Sequence, residues 1–70
     1  MKVKDLSNKI GTITKGFVDI QKHGQNICQT TFRTFCRDKI TMFDYLGMTV
    51  EFFNIETTEK GDIYMTIHVK

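Results

Sequence analysis

The stretch Ile63-Tyr64-Met65-Thr66-Ile67-His68-Val69-Lys70 alternates apolar and polar residues without a slip. Side chains of a strand point to opposite faces in turn, so Ile63, Met65, Ile67 and Val69 form one row and Tyr64, Thr66, His68 and Lys70 the other. The pattern predicts a half-buried β-strand, and with it a sheet that has one dry face and one wet face.

Working backwards, residues 57–62 read as a turn around Gly61. Residues 48–56, dense in Val50, Phe52, Phe53 and Ile55, read as the strand before it. A second hairpin is expected near the start. Residues 12–21 are rich in Thr, Ile, Val and Phe, and Lys22 to Asn26 supply a turn in which Gly24 is free to take positive φ. The parity of residues 12–21 is broken: Ile13 and Phe17 fall on one side, Val18 and Ile20 on the other. A kink at Gly16 would bring both pairs to one core.

Val3, Leu6 and Ile10 lie on one face of a short first helix that Gly11 is placed to end. The middle is read from its threonines, four of them between positions 30 and 41, which suit strands better than helices. The second strand is therefore expected to run to about residue 34, followed by a short helix over 42–46. Thr41 and Asp44 would cap that helix, Ile40 and Tyr45 would staple it, and Gly47 would end it. The expected fold is a single α+β domain over residues 1–70, with a four-stranded antiparallel sheet and two short helices in the order α-β-β-α-β-β.

A chain of 70 residues buries only about 60% of the surface that its unfolded form exposes, which invites support from a partner subunit. Its start is charged from Lys2 onward, and no run approaches the roughly 18 apolar residues that cross a bilayer. The expectation is a cytoplasmic protein, free of membranes, with Cys28 and Cys36 reduced. Net charge is +2 but unevenly placed, with +5 in residues 1–39 and −3 in residues 40–70. Such polarity suits an anionic ligand or a contact between oppositely charged surfaces.

No metal or cofactor is expected: Cys28 and Cys36 stand eight apart, His23 and His68 are isolated, and zinc ligands usually come in close pairs. The chain carries no serine elbow, paired-carboxylate motif or phosphate-cradling loop, so no catalytic residue is assigned and no enzyme is expected. The sole serine, Ser7, reads as a solvent-facing residue of the first helix. The run from Phe32 to Lys39 interleaves aromatics and cations, which suits a nucleotide or single-stranded nucleic acid. Arg33, Phe35, Arg37 and Lys39 are the candidate ligand residues, extended by Lys22 and His23 of the first hairpin. The plainer reading places Phe32 and Phe35 in the core. Tyr64, Thr66 and His68, with Phe53, are the candidate interface of a homo-oligomer.

The opening Met1-Lys2-Val3-Lys4-Asp5-Leu6, together with the alternating hairpin over 42–70, resembles small accessory proteins of phages and prophages of Gram-positive bacteria. That resemblance implies a non-catalytic binding protein that blunts a host defence. Proteins of this kind include inhibitors of CRISPR nucleases and oligomeric sponges for nucleotide immune signals. The partners expected are a second copy of the chain and either a nucleotide signal or a host defence protein, with nucleic-acid binding by the basic half or a structural assembly role as alternatives.

Overall fold

The computed structural model describes residues 1–10 and 15–70. Gly11, Ile13 and Thr12, which figure in the expected helix end and strand start, lie outside the described residues.

The elements run α1 (Val3–Lys9), β1 (Gly16–Lys22), β2 (Gln25–Thr31), α2 (Phe32–Arg37), α3 (Phe43–Leu46), β3 (Val50–Thr57) and β4 (Ile63–Val69). The fold is α+β, as expected, but the described residues form three helices and the sheet is mixed. Strand order is β2-β1-β4-β3, with both hairpins antiparallel and the inner strands β1 and β4 parallel. The physical reason lies in the connection. Parallel neighbours require a crossover rather than a tight turn, and the segment that holds α2 and α3 carries the chain from the end of β2 back across the sheet to β3.

Residues 32–37 are helical where the strand was expected to run to about residue 34 and a connection to follow. The Thr31 side chain accepts the Thr34 backbone N–H at 3.2 Å, so this threonine caps a helix instead of extending a strand. Phe32 and Phe35, one helical turn apart, are then both fully buried. The next turn is also organised differently. Thr41 does not cap α3, whose N-cap Met42 makes no side-chain cap bond; instead the Asp38 carboxylate closes the turn before it, accepting the Thr41 N–H at 3.0 Å and the Thr41 hydroxyl at 2.7 Å. These bonds to the charged form hold the Asp38 carboxyl below its ordinary value. The expected staple is absent because Ile40 is 90% exposed.

One face of the sheet carries the core. Val18 and Ile20 of β1 meet Met65 and Ile67 of β4 side by side, and Val3, Leu6, Phe32, Phe35 and Met42 cover them from the helices. The β4 alternation is realised, with Met65, Ile67 and Val69 buried and Tyr64, Thr66 and His68 part-exposed. Phe17 does not join this core. The pairing of β1 with β4 runs without a slip from Gly16 onward; Gly16 itself sits at φ +136, where a Cβ would clash with the Ile63 carbonyl oxygen. The register slip falls instead between Ile20 and Gln21, so Phe17 keeps its strand parity and points to the opposite face. The hairpin turn is His23-Gly24, both at positive φ (52° and 80°), the geometry of a two-residue type I′ connection.

Ser7 is buried rather than solvent-facing. It shares the inner face of α1 with Val3 and Leu6, donates to the Lys4 carbonyl at 3.0 Å, and receives Lys39 Nζ at 3.3 Å. No helix of the described residues is long and apolar enough to cross a membrane.

Candidate functional site

The three helices of the described residues lie against the core side, which leaves the other face of the sheet uncovered by any of those residues. Strand register places Phe17, Asp19 and Gln21 of β1 beside Tyr64, Thr66 and His68 of β4. Thr31 and Gln29 of β2 flank the first group; Phe52, Asn54 and Glu56 of β3 flank the second. Within this face, a cleft of about 510 Å³ is lined by Phe17, Asp19, Gln29, Thr30, Thr31 and Tyr64. That volume falls within the ordinary range for small-molecule sites.

Asp19 forms the floor of the cleft and is only 5% exposed. The Tyr64 hydroxyl donates to Asp19 Oδ2 from the neighbouring strand. That bond, followed by partial burial and the negative charge of Asp19, pushes the Tyr64 phenol above its ordinary value, while Gln29 of the neighbouring strand β2 opposes the shift. Glu56, directly across from Tyr64 on β3, adds in the same direction. The Phe17 and Tyr64 rings stand 6.4 Å apart and are tilted by 43°, forming an aromatic corner at the mouth. Neither Asp19 nor Phe17 was singled out from sequence. The signal for both was parity: an acid at the centre of an apolar strand, with a phenylalanine two residues before it on the same face.

The candidate ligand residues do not converge. Phe35 is buried in the core and offers no ring to a ligand, the plainer of the two sequence readings. Arg33 and Arg37 are exposed on one side of α2, four residues apart. Lys39 is turned to α1, where Nζ donates to Ser7 Oγ and to Asn8 Oδ1 at 3.3 and 3.4 Å. Lys22 and His23 sit at the turn of the first hairpin, whereas Arg33 begins beyond the other end of β2, roughly 23 Å of strand away at 3.3 Å per residue.

His23 shares a second cleft of about 260 Å³ with His68, Glu51 and Phe52. Among the described residues no group of three or more His, Cys, Asp or Glu is placed to hold a metal ion. Both thiols are free. Burial raises the pKa of Cys28, with Asp19 adding to it; burial also raises Cys36, partly offset by Lys39 and Arg37.

The candidate interface residues are divided between two faces. Tyr64, Thr66 and His68 lie on the uncovered face, where the Phe52 ring stacks on His68 at 4.2 Å and 16°. Phe53 is on the helix side, because the register slip between Val50 and Phe52 resets the parity of β3. It is nonetheless 40% exposed, and Ile55 is 52% exposed, since β3 forms the sheet edge and its neighbour in the sheet is β4 alone.

Fold and site together define a small α+β protein with one uncovered sheet face and one bare apolar edge. In comparison with known proteins, the chain matches no family model, no curated protein and no solved structure.

Proposed function

We propose that this chain is a small non-catalytic binding protein that works as a homo-oligomer, its copies joined edge to edge through β3. The observation that carries the reading is β3 itself: from Glu51 to Thr57 every residue is exposed, including Phe52, Phe53 and Ile55. Long, exposed, apolar edge strands are sites of strand pairing unless charges, Pro, a bulge or a covering element blunts them; here the charges are Glu51 and Glu56 and the register slip lies at the start of the strand, between Val50 and Phe52, which leaves Phe53 to Ile55 unguarded. This strand has neither lysine nor proline. The other edge, β2, is dominated by Gln, Asn and Thr. A two-fold antiparallel pairing centred on Asn54 sets Phe53 against Ile55 of the second copy and Phe52 against Glu56 of the second copy. It sets Glu51 against Thr57, so no acid meets an acid. In the phage or mobile-element setting that the opening residues resemble, such an assembly acts as a host-defence inhibitor by holding its target.

The test is native mass at micromolar concentration, with circular dichroism to verify folding. The wild type is expected at twice the chain mass and Ile55→Lys at the chain mass with an unchanged spectrum. A monomeric wild type overturns the reading.

A second reading keeps the anionic target, a nucleotide signal, host protein or nucleic acid, and is favoured by Arg33 and Arg37, exposed together on α2. Reversing both charges is expected to abolish heat of binding to a cyclic nucleotide in calorimetry. For nucleic acid, affinity is expected to fall steeply with salt, since each phosphate contact releases counterions. No heat with the wild type, and no gel shift at low salt, remove this reading.

A further inference from the structure

We infer that the cleft on the uncovered sheet face is a binding site for an organic cation, an alkylammonium or alkylguanidinium group, held by the Asp19 carboxylate against the Phe17 and Tyr64 rings. The inference rests on the reading of the chain as a binding protein, but it does not depend on the β3 contact.

The first observation is the state of Asp19. A carboxylate has room for about four hydrogen bonds, and a buried charge is costly unless it is paired. Among the described residues the hydrogen bond that Asp19 receives comes from Tyr64, on Oδ2. No buried side-chain oxygen or nitrogen is left without a partner. Oδ1, to which no described residue donates, therefore keeps some accessible surface, and Asp19 lines the cleft, so the carboxylate has acceptor capacity left for the N–H groups of a ligand.

The second observation is the charge of the walls. Among the described residues no lysine or arginine lines the cleft. Glu56 stands across from Tyr64 on the far side of the same row, so Tyr64 is flanked by two acids, Asp19 and Glu56. A cation is drawn into such a site and an anion is repelled. The hydrogen-bond inventory agrees. The Tyr64 proton is committed to Asp19, and the charged group the cleft offers is an acceptor.

The third observation is the aromatic corner. The Phe17 ring stands at an angle to Tyr64 with its centroid 6.4 Å away. Ring faces carry negative potential, so a cation seated near them gains a further attraction, and the alkyl stem of the ligand meets an apolar wall. A carboxylate, acceptor groups and two rings in one cleft together select a positively charged head on a short apolar body. Gln29, Thr30 and Thr31 also line the cleft and carry donors, but among the described residues no cation stands there to pair an anion. The same head occurs on a free amine and on a lysine or arginine side chain of a peptide.

The experiment is a backbone amide NMR titration of the full chain with n-butylammonium chloride, n-butylguanidinium chloride and a capped Gly-Arg-Gly peptide. Potassium phosphate is the anion control. At least one cation probe is expected to saturate at sub-millimolar dissociation constant, with the largest shifts at Phe17, Asp19 and Tyr64 and none from phosphate. Asp19→Asn keeps the shape of the side chain and removes its charge; affinity is expected to fall tenfold or more. Asp44→Asn, which removes an equal charge from an exposed residue outside the cleft, is expected to hold affinity within threefold, and an Asp19→Asn amide spectrum that keeps the wild-type dispersion shows that its loss comes from the charge rather than from misfolding. Saturation by the small cations but not by the peptide assigns the site to a free amine, and saturation by the peptide assigns it to a side chain. Linear, unsaturated shifts for every cation overturn the inference, as does equal binding of Asp19→Asn. A monomer in native mass that still binds a cation removes the β3 reading and leaves this one standing.

Discussion

Tyr64 donates its hydroxyl proton to Asp19 across the β1–β4 pair, joining residues 45 positions apart in the chain. Deprotonating Tyr64 would set a phenolate against that carboxylate, so folding raises the phenol pKa. A raised folded-state value means that the protonated form favours the folded state. The contribution is complete below the ordinary phenol value of about 10 and is lost as pH climbs through the higher folded-state value. Urea midpoints are expected to drop above that ordinary value more steeply in wild type than in Tyr64→Phe, and parallel curves would refute the coupling. By phenolate absorbance, Asp19→Asn is expected to bring the Tyr64 step back down, with Tyr45→Phe used to assign it.

Gly16→Ala is expected to be among the most damaging single changes. The added Cβ lands 2.0 Å from a backbone oxygen that cannot swing away, at a φ that side chains rarely adopt. A cost of about 3 kcal/mol or more follows, visible as a collapse of the urea midpoint; a loss under about 1 kcal/mol would show that β1 and β4 separate easily there.

The hairpin offers the opposite sign. His23 holds φ 52 beside Gly24, where Asn is the favoured residue of a type I′ turn. His23→Asn is expected to raise stability by about 0.5 kcal/mol, read as an increase in Tm. A decrease would mean that His23 is held by something other than its backbone.

Phe35 and Ile40 make a paired test of the middle segment. Phe35→Ala should cost about 3–5 kcal/mol, enough to unfold much of so small a domain, because the ring is fully buried. Ile40→Ser, at 90% exposure, should move stability by less than about 0.5 kcal/mol. Equal effects in thermal melts would contradict the placement of α2.

Cys28 and Cys36 are expected to react slowly with a disulfide reagent near neutral pH. Burial raises both thiols, so the thiolate fraction is smaller than in an unfolded chain. Urea should accelerate labelling; identical rates with and without it would refute the shielding.

What the sequence disclosed, and what it hid, follows from the range of the interactions. The alternation of Ile63 to Val69 and the turn at His23-Gly24 are local, and both were legible. The helix at Phe32–Arg37 was written in the sequence too, as a capping threonine followed by Phe32 and Phe35 one turn apart, but the surrounding threonines spoke for a strand. The parallel β1–β4 contact was not legible, because the alternating pattern of a strand states which side is apolar and not which neighbour it takes. The same holds for the cleft. Asp19 in isolation reads as a solvated acid, and only the pairing of its strand with β4 turns it into the floor of a site with Tyr64.

The parallel inner pair also sets the order of events during synthesis. Every β1 residue from Gly16 to Lys22 waits for a partner 47 positions downstream, so the middle of the sheet cannot zip until the last strand has left the ribosome. Until then the first hairpin carries Val18 and Ile20 uncovered on that side, and contacts this distant in sequence are slow to close. Chaperone capture, or crowding by sister chains on one message, falls in that interval.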